Sequence, residues 1–100
     1  MALSNLFKMA ALSGAVPAVN FYIRKGFNLN ETDSNGRTAL YFASSRGHFE
    51  ACISLLEAGA KVDIADLNGI MDFPDFSRHL IMSKMKRRGL YATHQIYRRI

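Results

Sequence analysis

The sequence repeats itself with a period of 33 residues, and this periodicity limits the fold more than any other feature does. The segments 9–33 and 42–66 align without a gap. A period of this length is typical of stacked helical repeats, in which each unit buries its apolar face against its neighbours. The residue pairs that keep the spacing are Gly14 and Gly47, Gly26 and Gly59, Asp33 and Asp66, Asn35 and Asn68, and Gly36 and Gly69.

The middle unit carries local signals for a turn followed by two helices. Residues 33–36 read Asp-Ser-Asn-Gly, which is turn chemistry, and Thr38 can cap the helix that follows. Gly47 is predicted to break this helix. A second helix with a wide apolar face is predicted from Phe49, and Gly59 suits its left-handed C-terminal cap.

The flanking units are predicted from the same spacing. The first should contain helices over about residues 5–12 and 17–25. In the third, an extended piece over residues 61–64 should lead into a turn at residues 66–69. A helix over residues 73–88, capped by Asp72, should then close the stack. Its predicted apolar face consists of Phe73, Phe76, Leu80 and Ile81.

The middle unit, DSNGRTALYFASSRGHFEACISLLEAGAKVDIAD, resembles the ankyrin-repeat family. It follows the family pattern D-x-x-G-x-T-P-L-H-x-A-A-x-x-G-H-x-E and then L-L-x-x-G-A-x-V-N. The resemblance covers residues 3 to about 73 and implies an all-α, ankyrin-type helix–turn–helix solenoid with short β-turn fingers. It also implies a structural hydrogen bond for His48. The departures from the pattern are Ala39, Tyr41, Ser44 and Asp63.

On this basis residues 1–88 form an ankyrin-repeat domain, with repeats at about 3–32 and 33–65 and a divergent cap at 66–88. Residues 89–100 are predicted to be a basic tail or the start of a linker. Charge supports this division, because residues 1–77 have a net charge of −2 and residues 78–100 have a net charge of +7.

Nothing in the sequence indicates catalysis, a cofactor or a metal site. The three histidines, His48, His79 and His94, do not have metal-ligand spacing, and Cys52 lies on the apolar face of a predicted helix. The acidic residues are dispersed, so no pair is placed for acid–base chemistry. We expect an intracellular protein that is not an enzyme, with no signal peptide or transmembrane segment.

The resemblance implies that partners bind the concave face formed by the turn tips and the exposed sides of the first helices. Leu67 and Ile70 suggest an apolar contact surface there. Tyr41 and Ile70 could instead pack locally against an adjacent unit. The predicted partner-binding residues are Ser34, Asn35, Arg37, Tyr41, Ser45, Arg46, Leu67, Asn68 and Ile70, with Leu12, Ser13 and Thr32 as further candidates.

The predicted function is therefore that of a protein–protein interaction module, either a monomer or a weak homodimer. A second hypothesis is binding of nucleic acid or an acidic surface through the basic C-terminal segment. A third is a regulatory domain of a larger multidomain protein. The cations that would serve the second hypothesis are Lys84, Lys86, Arg87, Arg88, Arg98 and Arg99.

Overall fold

The computed structural model describes residues 4–88, which form six helices stacked as three pairs. The first helices of the pairs form one layer, in which α3 packs between α1 and α5. The second helices form the other layer, in which α4 packs against α2 and α6. The predicted all-α, repeat-type fold is confirmed. The helices are α1 (Asn5–Ser13), α2 (Val16–Arg24), α3 (Ala39–Ser45), α4 (Phe49–Glu57), α5 (Ile64–Met71) and α6 (Asp75–Arg88).

The first two pairs follow the predicted helix limits and caps. Thr38 caps α3, because its Oγ1 accepts a hydrogen bond from the backbone N–H of Tyr41 at 3.3 Å. Gly59 has a φ of +100°, as a left-handed cap requires. Within the described part of the chain, no helix is both long and apolar enough to cross a bilayer.

His48 joins the first pair to the second, as the resemblance implied. Its Nε2 donates a hydrogen bond to the carbonyl oxygen of Leu12 at 2.7 Å. The imidazole lies so close to Gly14 that a Cβ there would be 2.5 Å from Nδ1 of His48. Gly14 also has a φ of +69°, so both its conformation and this close approach exclude larger residues.

One continuous apolar core runs along the stack. Positions that are 33 residues apart fill equivalent places in successive pairs, such as Phe7 and Leu40 in the first helices. Cys52 is fully buried in the same core, as its position on the apolar face predicted. Burial of each large apolar side chain contributes about 1.5–3 kcal/mol relative to exposure. The stack is therefore held together by contacts between neighbouring pairs.

The turn predicted at residues 66–69 is wrong, and so is the extended piece before it. Residue 64 begins α5, and Asp66, Asn68 and Gly69 all lie inside this helix. Asp63 is its N-cap and forms a capping box with Asp66, with both N–H···O distances at 2.9 Å. The repeated Asp-x-Asn-Gly string therefore has two different conformations, a turn in the second unit and a helix in the third.

The last helix also differs from the prediction. Asp72 is the C-cap of α5 rather than an N-cap, and α6 begins at Asp75. Phe76, which was predicted to be core-facing, is 77% exposed. The predicted stripe was counted from Phe73, which precedes the helix, so the helical period was applied from the wrong start. The residues that α6 buries are Ile81, Met82 and Met85.

The outer surface of α1 carries two exposed apolar side chains, Leu6 at 66% and Met9 at 63% exposure. Residues 33 positions later, Ala39 and Phe42, are buried, and Lys8 of α1 lies over the Phe42 ring at 4.8 Å. Leu6 and Met9 therefore occupy positions that face the preceding helix pair in the second unit. In the first unit the same positions face outward.

Candidate partner-binding groove

A groove of about 420 Å³ lies between the turn that precedes α3, the exposed side of α3 and the exposed side of α5. We call the turn at residues 33–37 the finger. The groove is open to solvent and is lined mainly by polar side chains and glycine backbone. Its lining residues are Asn35, Gly36, Arg37, Tyr41, Ser45, Asp63, Ala65, Asn68, Gly69 and Asp72.

The carboxylate of Asp33 holds the finger in shape. Its Oδ1 accepts hydrogen bonds from the backbone N–H groups of Asn35 at 2.9 Å and Arg37 at 3.0 Å. The backbone N–H of Arg37 and, more weakly, that of Asn35 and the charge of Lys8 keep the pKa of this carboxyl below its usual range. The Lys8 ammonium lies 3.6 Å from Oδ2 of Asp33. Gly36 completes the turn with a φ of +76°.

Tyr41 and Arg37 form the aromatic and cationic side of the groove. The guanidinium carbon of Arg37 lies 4.8 Å from the centroid of the Tyr41 ring, which is cation–π geometry. Tyr41 is half-buried, and its ring meets Phe42 edge to face at 5.3 Å. The ring is therefore packed on one side and accessible on the other, and the two predictions for Tyr41 each hold in part.

The opposite wall is α5, which approaches α3 very closely. A Cβ on Gly69 would lie 2.7 Å from the carbonyl carbon of Ser44 and 2.9 Å from both its carbonyl oxygen and its Oγ. This close approach places the exposed residues of α5 along the groove. Those residues are Ala65, Asn68 and Asp72.

Behind this wall lies a buried carboxyl group. Asp66 is 2% exposed, and its Oδ1 has no hydrogen-bond partner among the described residues. Burial, more than the nearby charge of Asp63, raises the pKa of Asp66 to about 7, although the backbone N–H of Asp63 partly offsets this. Burial and then the charge of Asp66 raise the pKa of the Cys52 thiol to about 12. The thiol is thus protonated and inert at neutral pH.

The structure brings together five of the nine predicted partner-binding residues: Asn35, Arg37, Tyr41, Ser45 and Asn68. Ser34 and Arg46 are exposed but do not line the groove. The apolar contact surface predicted at Leu67 and Ile70 is wrong, because these side chains are 6% and 0% exposed. They lie on the buried face of α5, where a turn had been expected.

The further candidates from the neighbouring units lie outside the groove lining. Leu12 is half-buried, and its carbonyl group accepts the bond from His48. Ser13 is exposed, and its Oγ donates to the carbonyl of Ala10 at 3.2 Å. Thr32 is exposed next to the finger.

Sequence reasoning missed Asp63, Ala65 and Asp72 as groove residues. Their position follows from the existence of α5, which the repeat alignment obscured. One local signal could have revealed the helix, since Asp63 and Asp66 have the spacing of a capping box ahead of apolar residues at i and i+3.

The basic segment is only partly described. Lys84 pairs with Glu57 across α4 and α6 at 3.0 Å, and Lys86 is exposed. Arg87 and Arg88 belong to α6, but their side chains lie outside what the structure describes, and so do Arg98 and Arg99 entirely. Within residues 4–88, no group of three or more His, Cys, Asp or Glu residues could hold a metal ion.

Comparison with known proteins agrees with this geometry. The family model described as "Ankyrin repeats (many copies)" matches residues 7–56. The human Ankyrin repeat domain-containing protein 39 is 46% identical over 54 residues, which is 54% of this chain and 30% of that protein. Mouse Cortactin-binding protein 2 is 37% identical over 64 residues, 63% of this chain and 4% of that protein.

A third relative is Phosphocholine transferase AnkX of Legionella pneumophila, which is 29% identical over 83 residues. That match covers 74% of this chain and 9% of the relative. The chain therefore spans less than a third of the length of each of these relatives.

Proposed function

This chain belongs to the ankyrin-repeat family, and on that premise we propose that it is a protein-interaction module that holds a segment of a partner protein in the groove. Repeats of this family generally mediate protein–protein interaction and are typically non-catalytic, although one relative is named a transferase. Our proposal concerns binding alone, with no catalytic step.

One observation carries the proposal. The groove combines an accessible aromatic ring, a guanidinium group and side-chain amides around an open space, with Tyr41, Arg37, Asn35 and Asn68 as its principal contacts. Tyrosine and arginine are enriched among residues that dominate binding energy at protein interfaces. Asparagine amides can donate to and accept from the backbone of an extended segment. The groove is thus suited to a peptide segment with polar and apolar contacts.

The test is quantitative affinity capture from a native lysate, followed by titration of each captured protein in purified form. The variant Arg37→Ala/Asn68→Ala removes two exposed groove contacts, and Arg24→Ala is its matched control on the exposed side of α2. We expect the groove variant to weaken a captured partner by roughly tenfold or more, since one hot-spot contact is worth about 2 kcal/mol. Equal capture by all three proteins would overturn the proposal.

The basic C-terminal segment supports a second candidate, the binding of nucleic acid or an acidic surface. Residues 78–100 contain seven Lys or Arg residues and no acidic residue apart from the chain terminus. Binding through phosphate contacts should weaken steeply with salt and should not respond to Arg37→Ala/Asn68→Ala. The capture is therefore repeated with nuclease and at high salt. Recovery of nucleic acid alone, lost at high salt, would favour this candidate.

The third hypothesis, a regulatory domain of a larger protein, is compatible with the first. The relatives are each more than three times longer than the segment matched by this chain. We propose the repeat boundaries and the tail at 89–100 as predicted from the sequence.

A further inference from the structure

We infer that the groove receives an extended segment that carries two basic residues four positions apart, one facing Asp63 and the other facing Asp72. This inference rests on the proposed function, because it names the chemistry of the partner that the groove would bind. It follows from the charges on α5, from the length of this helix and from the spacing of side chains in an extended chain.

The α5 wall carries a carboxylate at each end. Asp63 precedes the helix and Asp72 follows it, and both are exposed and line the groove. Among the described residues, neither carboxylate forms an ion pair. Asp63 uses Oδ1 for the capping box, while no side-chain hydrogen bond of Asp72 is formed within residues 4–88. Both carboxylates can therefore accept a cation from outside the protein.

The cation of the groove is placed differently. The Arg37 guanidinium stacks on Tyr41, on the finger side of the groove rather than between the two carboxylates. The ionised groups that line the groove thus sum to one negative charge, with both negative groups on the α5 side. A basic partner residue is attracted to that side, whereas an acidic one would be repelled there.

The spacing follows from helix geometry. Nine residues separate Asp63 from Asp72, and a rise of 1.5 Å per residue puts them about 13 Å apart along the helix axis. An extended chain rises about 3.3 Å per residue, so four residues also span about 13 Å. Side chains four positions apart in such a chain point to the same side. Two lysines or arginines with this spacing can therefore face both carboxylates at once.

The magnitude of the effect is limited by exposure. Ion pairs at exposed positions are screened, and two of them together strengthen binding by roughly two- to thirty-fold. The remainder of the affinity must come from contacts with Tyr41 and the groove amides. The basic residues accordingly set which segment binds and in which register.

The experiment uses backbone amide chemical shifts of the full ¹⁵N-labelled chain, titrated with short glycine–serine peptides. One peptide carries two lysines four positions apart, a second carries them five apart, and a third carries two glutamates four apart. We expect saturable shifts at Gly36, Asn68 and Gly69 with the first peptide, and weaker binding of the other two.

The matched variant is Asp63→Asn/Asp72→Asn, because asparagine caps a helix as well as aspartate does and the fold is kept. It should weaken binding of the first peptide by roughly two- to thirty-fold. Glu50→Gln, an exposed carboxylate outside the groove, should leave binding unchanged.

The outcomes separate this inference from the proposed function. Shifts at the groove with the glutamate peptide, or equal binding at both lysine spacings, would overturn the inference and leave the groove as a binding site. Shifts that persist in Asp63→Asn/Asp72→Asn would also overturn it. If no peptide binds while Arg37→Ala/Asn68→Ala abolishes capture of a partner, the inference fails and the proposed function stands. If neither effect is seen, both fail.

Discussion

Replacing Gly69 by alanine should destabilise the protein, although alanine is the better helix former. Gly69 lies inside α5, and a Cβ at this position would be 2.7 Å from the carbonyl carbon of Ser44 and 2.9 Å from its carbonyl oxygen. Ordinary van der Waals contact begins near 3.4 Å, so α5 must move away from α3 by about 0.7 Å. Backbone atoms on the facing helix cannot turn aside as a flexible side chain can.

The magnitude follows from two opposing effects. Overpacking of a tight contact costs about 1–3 kcal/mol, and a backbone collision belongs at the upper end of that range. The gain in helix propensity from glycine to alanine is about 1 kcal/mol. The expected net loss is about 1–2 kcal/mol, which corresponds to a fall in melting temperature of roughly 5–15 °C for a domain of this size.

The assay is thermal and urea unfolding, monitored by circular dichroism, of the alanine and asparagine variants at Gly69 and at Gly36. Gly36 is the matched control, since it is 33 residues earlier, has a φ of +76° and has nothing within 4 Å of a Cβ. At a left-handed turn asparagine is tolerated better than alanine. At a close helix contact the larger asparagine is worse. The ranks should therefore be opposite at the two glycines.

A Gly69→Ala variant as stable as the wild type would refute the close contact between α3 and α5. A Gly69→Asn variant more stable than Gly69→Ala would refute the helical assignment and restore the turn that the repeat spacing predicts. Either result would also remove the wall on which Asp63 and Asp72 face the groove.

Three further predictions test the core and the cap. Because the folded pKa of Asp66 is about 7 and lies above the usual value of 3.8, the stability it contributes is present at low pH and is lost as pH rises towards 7. Asp66→Asn should flatten that decline in urea unfolding between pH 5 and 8; a wild-type protein more stable at pH 8 than at pH 5, by an amount that the variant abolishes, would contradict the sign. His48→Ala should cost about 1–2 kcal/mol in the same assay, because the carbonyl of Leu12 loses its 2.7 Å bond, and no change would mean that water replaces the imidazole. Phe7→Ala should cost about 3–5 kcal/mol, whereas Leu6→Ala, at a side chain 66% exposed, should change stability by about 0.5 kcal/mol or less; equal losses would contradict the assigned faces of α1.

The outline of the first four helices could be predicted because each depends on local chemistry. Thr38 caps a helix through its own side chain, and Gly47 and Gly59 adopt positive φ wherever a helix must end. The 33-residue spacing then sets these signals in the same order twice. The groove residues on the finger and α3 followed from that regularity.

The groove wall on α5 could not be predicted in the same way, because one string of residues supports two conformations. Asp33 and Gly36 form a turn, while Asp66 and Gly69, at equivalent positions, form part of a helix. The difference lies in what burial each conformation permits. As a helix, the third segment places Leu67 and Ile70 in the core and gives Asp66 a capping role.

The sequence by itself determined the family, the all-α class, the helix limits in the first two units and the finger, since these follow from residues close together in the chain. Tertiary structure alone decided that Gly69 serves close packing against Ser44, that Leu67 and Ile70 are core residues, and that Asp63 and Asp72 face the groove. The physical reason is that local turn and helix preferences differ by only about 1 kcal/mol, whereas burying two large aliphatic side chains contributes several kcal/mol. Packing against α3 therefore overrides the local preference at this end of the stack.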